Sequence, residues 1–325
     1  MPYFHLPLLS SIWSGLESLE TSELAMTFVP ILAYWTYSTM FYILSTLNIT
    51  RVELHKIPTD QPMRRPKNPS ASTVLWKVFI QHIFQAVAAL SLAISIRPPP
   101  DQLPKQMESW PVILIKLAIA AILLDTYQYW MHRWMHLNRT LYKYLHSVHH
   151  QLTAPYAFGA LYNHPLEGLV MDTVGGAVPS LLLDMHPWTS TLFFTLATLK
   201  TVDDHCGYSL PWDPFQALFQ NNAAYHDKHH WGKGIKYNFS QPFFHFWDIW
   251  MGTDFDMAME KLKPKHYKGS VSSGSDSDED EKDERFTGNG HANCNGTMHV
   301  NSNGTPYMNG NGTYYMNGSR GGMCS

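Results

Sequence analysis

The sequence predicts an all-α integral membrane protein, with several transmembrane helices capped by a cytosolic, helical, histidine-rich domain that has room for two metal ions. Three observations predict it. Apolar runs of about twenty residues with few or no charges recur through the first half of the chain, and each is long enough to cross a hydrocarbon core. Histidines gather in spaced boxes beyond the ends of those runs, and basic residues lie on only one side of the first run. Of 325 residues 45% are apolar, enough for one or two domains with a large core. The mean hydropathy is slightly negative only because a long polar tail dilutes an apolar body.

Residues 1–26 begin apolar but lack a basic leader and a cleavage site, so they do not read as a removed signal peptide. The first span is residues 26–47, which carry no charge. No lysine or arginine precedes Arg51, whereas the loop that follows holds Arg51, Lys56, Arg64, Arg65 and Lys67. The positive-inside rule makes that loop cytosolic and the N-terminus lumenal. A second span covers residues 74–96, with Lys77, Gln81 and His82 near its start, and the Pro-rich RPPPDQLP loop is then lumenal. A third, residues 111–130, contains Lys116 and Asp125 and returns the chain to the cytosol at His132, where Arg133, Arg139 and Lys143 agree with that side. Two shorter apolar pieces, residues 168–183 and 188–202, are marginal as full spans. DMHP between them makes a turn, and whether this hairpin crosses or only dips, the chain returns to the side it left.

From residue 268 onward SGSDSDEDEKDE and the NGT, NGS and MNG repeats hold too little apolar bulk to fold, and the tail reads as disordered and cytosolic. Ser273, Ser275 and Ser277 beside acids are candidate phosphorylation sites on what otherwise reads as a solubilising tail. The three regions are residues 1–109 with two spans, 110–267 with the histidines, and the tail 268–325. The formal charge of −3 averages an acidic tail with a more basic body, and nothing in it points to nucleic acid. Cys206, Cys294 and Cys324 have neither disulfide nor zinc spacing.

The chemistry lies in the histidines. HRWMH puts His132 and His136 one helical turn apart, and HSVHH and HDKHH each repeat an i, i+3, i+4 pattern, His146, His149, His150 and His226, His229, His230. Such positions share a helix face, so they read as one converging pair and two converging triples. His164 in NHPLE and His205 in DDHCGY bring the candidates to ten. So many ionisable rings buried without ligation would leave many donors and acceptors to satisfy. They are too many for one zinc ion, and imidazole suits iron, copper, zinc and nickel alike, so the number points to two metals without choosing the element. Arg133 follows His132 where the HExxH metalloprotease motif needs glutamate, which argues against peptide hydrolysis.

The series HRWMH, HSVHH, NHPLE, TVDDHCGY, AYHDKHH and NFSQPFFHFWDIWMGT resembles the fatty acid hydroxylase/sterol desaturase superfamily of membrane di-iron oxygenases. Within it, PYAFGALYNHPLEGL and KTVDDHCGYSLP are most similar to the sphinganine 4-hydroxylases. The resemblance covers about residues 110–257. It implies two iron ions held by His132, His136, His146, His149, His150, His205, His226, His229 and His230, with His164 a ligand or a partner of one. Some members of the superfamily have a further histidine where this chain has Ser209. It further implies an O2-dependent sphinganine 4-monooxygenase, a multi-pass protein of the endoplasmic reticulum membrane that hydroxylates carbon 4 of sphinganine or dihydroceramide in sphingolipid biosynthesis. Metal-bound imidazoles usually donate their other N–H to a carboxylate or carbonyl, and Asp125, Glu167, Asp203 and Asp204 are the candidate carboxylates. The chain has no nucleotide fingerprint and no haem motif, so electrons must come from a partner, by resemblance cytochrome b5 with its NADH- or NADPH-dependent reductase.

The substrate suggested by this placement is a long acyl chain, a sphingoid base or ceramide, entering from the bilayer with its head near the interface. Tyr127, Trp130, Trp134 and Tyr156 are candidates to line that entry or to anchor the protein. Rival readings are a lipid desaturase, a fatty acid 2-hydroxylase or a sterol methyl oxidase and, in a different class, a metal transporter or a zinc-bound membrane protein.

Overall fold

In the computed structural model the structure describes residues 14, 15, 17–59, 68–96 and 106–262. The expected tail, the Pro-rich loop and Arg64, Arg65 and Lys67 lie outside the described residues. Every regular element described is helical, and the one β-bridge, Lys56 with Tyr208, is isolated.

Helix α1 spans Thr21–Thr46 and opens on a capping box in which Glu23 accepts the Glu20 N–H at 2.8 Å. Helix α2 spans Ala71–Ile96. Helix α3 spans Trp110–Leu137, with Pro111 in the first turn, where its missing N–H removes no helical bond. Thus the third expected span and the first histidine box are one continuous helix. Two described helices, Ala71–Ser95 and Trp110–Leu137, are long and apolar enough to cross a membrane. Only 17% and 28% of their apolar windows are buried, the reverse of a soluble core helix. Exposed Trp76, Phe79, Phe84 and Val87 on α2 and Leu114, Ile115 and Ile122 on α3 make apolar faces that water would not tolerate. Helix α1 is long enough but is not among the two, because hydroxyl and aromatic residues interrupt its apolar run. Its Thr36 and Thr39 bond back to the carbonyls of Leu32 and Trp35 at 2.8 and 2.7 Å, so these hydroxyls are already satisfied.

The two shorter apolar pieces form the expected hairpin. Its first arm runs through Pro165–Gly168, a π-helical stretch Leu169–Val174 and helix α4, Gly175–Leu182. Its second arm is helix α5, Pro187–Asp204, which His186 caps by accepting the Trp188 N–H at 3.2 Å. Glu108 fixes the turn, accepting the His186 N–H at 2.9 Å, the Thr189 hydroxyl at 2.6 Å and the Lys116 ammonium at 2.9 Å.

At the opposite end the loop after α1 binds the loop after α5. Ile57 donates to Gly207 O at 2.9 Å and Ser209 to His55 O at 2.8 Å. Gly207 stands at φ 80°, where a Cβ would also meet Pro155 O at 3.2 Å, so the turn after His205 needs glycine. Asn68 joins the same end by exchanging two bonds with Ala154, at 2.6 and 3.1 Å. One core cluster, with Tyr34, Phe41, Val74, Val78, Tyr162 and Val202, ties α1 and α2 to this end, and a second, with Leu124, Phe193 and Phe243, ties α3 to α5.

Candidate metal centre

Three local structures aim the imidazoles inward. The last two turns of α3 carry His132 and His136, and Asn138 then breaks the helix, its side chain capping the next turn by accepting from Thr140 and Leu141 N–H at 2.9 and 3.1 Å. The chain continues as a π-helix, Tyr142–His146, and a 3-10 turn, His149–Gln151, so the second box does not lie on a regular α-helix. Helix α6, Ala223–His229, is capped by Asn222 accepting the Tyr225 N–H at 3.1 Å and presents the third box, with His230 just past its end.

Nine imidazoles form two groups, one of His132, His136, His146, His150 and His229 and one of His149, His205, His226 and His230. Within each group the ligand atoms lie within 4.8 Å of one another. This corrects the expectation that each triple converges as a unit. In both triples the i and i+4 rings serve one group and the i+3 ring crosses to the other, because successive positions on a helix turn by about 100° and i+3 points away from i+4. Each triple therefore stitches the two groups together.

The hydrogen bonds at Nδ1 show what the groups can hold. His132 Nδ1–H donates to Phe239 O at 2.8 Å, His146 Nδ1–H to Glu167 Oε1 at 2.6 Å and His229 Nδ1–H to Tyr237 O at 2.6 Å. In the second group His205 donates to Thr201 O and His230 to Leu152 O, both at 2.8 Å. Each of these rings then carries a bare lone pair on Nε2, and those lone pairs converge. The Nε2 atoms of His132 and His146 are 3.0 Å apart, and His226 Nε2 lies 3.1 Å from both His205 and His230. A proton on one ring can relieve only one such contact, whereas a cation at the centre relieves all of them. Metal–nitrogen bonds of about 2.1 Å at right angles would set neighbouring nitrogens about 3.0 Å apart, which matches this spacing. The residues present therefore fit a metal ion in each group.

Electrostatics agree. Burial, and then the neighbouring rings, hold His146, His150 and His226 well below the usual imidazole range. Burial alone takes His149 down to about 4 and, with His149 beside it, His205 to about 3. The rings are thus neutral and ready to ligate at pH 7. Burial pushes Glu167 up to about 8, so without a cation the His146–Glu167 pair is neutral, and a cation on Nε2 would favour the carboxylate.

Among the other predicted residues, His164 lies in neither group, and its Nδ1 accepts the Leu166 N–H at 3.2 Å as the cap of the turn that carries Glu167. Asp125 accepts the N–H groups of Phe243 and Phe244 at 3.2 and 2.5 Å, Asp203 accepts from Gln216 at 2.9 Å, and Asp204 pairs with buried Lys200. These three acids position backbone and helix ends around the imidazoles. Asp248, not singled out by sequence, does similar work, accepting from Phe239 and Ser240 N–H at 3.0 and 2.8 Å and so fixing the carbonyl that orients His132. Its signal was there, an acid inside the apolar run FWDIWM.

A cavity of about 220 Å³ runs between α1, α2, α3, α4 and α5, lined mainly by apolar side chains such as Ile31, Leu92, Leu124, Leu181 and Phe194. A second, of about 30 Å³, is lined by His146, His149, His205 and His226. Gln128, Asp172, Thr201 and Pro242 line both. None of Tyr127, Trp130, Trp134 and Tyr156 lines either cavity. Trp130 and Trp134 are exposed on the outer face of α3, and Tyr127 donates to Val170 O at 3.0 Å.

The fatty acid hydroxylase family model matches residues 117–253. Sphinganine C4-monooxygenase 2 of Arabidopsis thaliana is 47% identical over 243 residues, which are 74% of this chain and 91% of that protein. Very-long-chain aldehyde decarbonylase GL1-9 of Oryza sativa subsp. indica is 43% identical, over 77% of this chain and 95% of its own length. Sphingolipid C4-hydroxylase SUR2 of Saccharomyces cerevisiae is 40% identical, over 79% of this chain and 78% of its own length. No solved structure matches the chain.

Proposed function

The chain belongs to the fatty acid hydroxylase family, and from that premise we propose that it is a sphinganine C4-monooxygenase that hydroxylates a long-chain sphingoid base at the rim of a buried pair of iron ions. The observation that carries this reading is the junction of the two cavities. An apolar pocket between membrane-type helices ends on a small chamber walled by four imidazoles, and the two share Gln128, Asp172, Thr201 and Pro242. An alkyl chain would fill the larger cavity and present one carbon to the smaller.

The nine imidazoles of the two groups are assigned as iron ligands, one ion to each group, and His164 to holding the turn that carries Glu167. Two irons would supply the one-electron chemistry by which dioxygen attacks an unactivated carbon–hydrogen bond. The chain itself does the rest. Backbone carbonyls and Glu167 hold the rings in one tautomer, Leu124, Phe193 and Phe194 exclude water from the alkyl chain, and Gln128, Thr201 and Pro242 at the neck orient the reacting carbon. Electrons come from cytochrome b5 and its reductase.

The protein is read as a multi-pass protein of the endoplasmic reticulum with its metal centre on the cytosolic face. The hydrogen bonds between the loop carrying Arg51 and Lys56 and the loop after His205 support one common side for the basic loop and the histidines. The exposed Trp130, Trp134 and Trp250 near the metal end suit the interfacial belt.

Product analysis by mass spectrometry, after expression of the full chain in cells without their own 4-hydroxylase, tests the reading. A gain of one oxygen at carbon 4 is expected. Loss of two hydrogens would mean a desaturase, and loss of one carbon from an aldehyde would assign the activity in the rice relative's name.

A further inference from the structure

We propose that Asp172, steered by Gln85, is the counter-ion for the ammonium group of a free long-chain base, so that the enzyme selects the free base over its neutral N-acyl derivative. This rests on the reading of the reaction given above. In a sphingoid base the amino group is on carbon 2, three bonds from carbon 4, so it stays within about 4 Å of the carbon that reacts. At about 30 Å³ the chamber beside the imidazoles admits a reacting carbon and little more, which leaves the amino-diol head at the neck between the cavities.

Three carboxylates line the small chamber, Glu167, Asp172 and Asp204. Glu167 accepts from His146, and Asp204 is paired with Lys200. Asp172 is the one that also lines the large cavity, and neither cavity is lined by a lysine or arginine among the described residues. It is bonded by a neutral group, the Gln85 amide, which donates to Asp172 Oδ2 at 3.1 Å and to Gly168 O at 3.3 Å. Gln85 thereby tethers the carboxylate to the start of the π-helical stretch Leu169–Val174, a local irregularity of the kind that often re-aims a side chain at a functional site. A carboxylate in apolar surroundings between membrane-type helices is costly unless a cation joins it, and the ammonium group of a base supplies one. An N-acylated base has no charge to offer.

The test uses the full chain, iron-loaded, in lipid nanodiscs, and measures binding of sphinganine and N-acetylsphinganine without oxygen as well as turnover with it. Wild type should bind sphinganine at least about tenfold more tightly than N-acetylsphinganine. Asp172→Asn should remove that preference by weakening sphinganine alone about tenfold or more, with iron content and N-acetylsphinganine binding unchanged, and Asp172→Glu should restore part of it. Equal binding of the two ligands by wild type, a measurement that needs no variant to fold, overturns the proposal, and so does equal weakening of both in Asp172→Asn. Tight, Asp172-dependent sphinganine binding without a hydroxyl at carbon 4 would leave the counter-ion standing and overturn the reaction instead.

Discussion

The two imidazole groups are built from the same triples yet differ in kind. The five-membered group takes two rings from the end of α3, two from the second box and one from the third, and it contains one partly exposed ring, His136, and one carboxylate-backed ring, His146. The four-membered group takes one ring from the second box, one from just past α5 and two from the third box, all of them buried, and its anchors are neutral carbonyls. One group thus has a ligand to spare and a charged support, and the other has neither. Because each triple divides between them, a change in one group also strains the other through a residue one position away.

The largest effect should come from the group without a spare. His226 sits between His205 and His230, with Nε2 at 3.1 Å from both, so removing it opens the centre of the set. His226→Ala should lower bound iron from two ions to one and product formation by roughly three orders of magnitude, since a paired-metal reaction needs both ions. Metal analysis of the purified variant measures the first and product yield the second. Retention of both ions would break the contrast between the groups.

Next in size is the charged support. Glu167→Gln keeps an acceptor for His146 Nδ1–H but removes the charge, so metal affinity of the five-membered group should fall about 10- to 100-fold. The four-membered group, which Glu167 does not touch, should keep its ion. Competition with a chelator then separates a weakened site from an unchanged one. Uniform weakening of both would mean that the carboxylate acts through the fold rather than through His146.

Much of this architecture was legible in the sequence, and the parts that were not share a cause. Apolar runs and their flanking boxes located α2, α3 and the α4–α5 hairpin, because burial in lipid and ligation both act through side-chain type. The turn at DMHP was legible for the same reason, since a proline suits the first turn of a helix, where Pro187 opens α5. The division of the triples was not. The i, i+3, i+4 spacing marks one helix face and leaves unsaid which two of the three rings meet a common ion, and the division recurs in HDKHH on the regular helix α6 as in HSVHH on the π-helical and 3-10 turns. Four of the five Nδ1 supports described above are backbone carbonyls, those of Phe239, Tyr237, Thr201 and Leu152, which any residue could provide. Of the four acids expected beside the rings, Glu167 bonds an imidazole, while Asp125, Asp203 and Asp204 fix backbone, amide and ammonium partners. Lys200 was passed over as well, being fully buried in a chain where lysine normally marks the surface.

The smallest effect should fall on the spare ligand, and it sharpens the contrast most. His136 is the one partly exposed member of its group, and its Nε2 lies 2.8 to 3.2 Å from those of His146, His150 and His132. Its loss leaves His132, His146, His150 and His229, a set as large as the complete second group. His136→Ala should therefore keep both ions and lose only about tenfold in metal affinity at its own site, the scale of a supporting contact rather than of an essential ligand. Activity should fall in step with occupancy and recover when excess iron is supplied, whereas His226→Ala should not recover. Recovery of both or of neither would mean that five and four are two counts of equivalent sites.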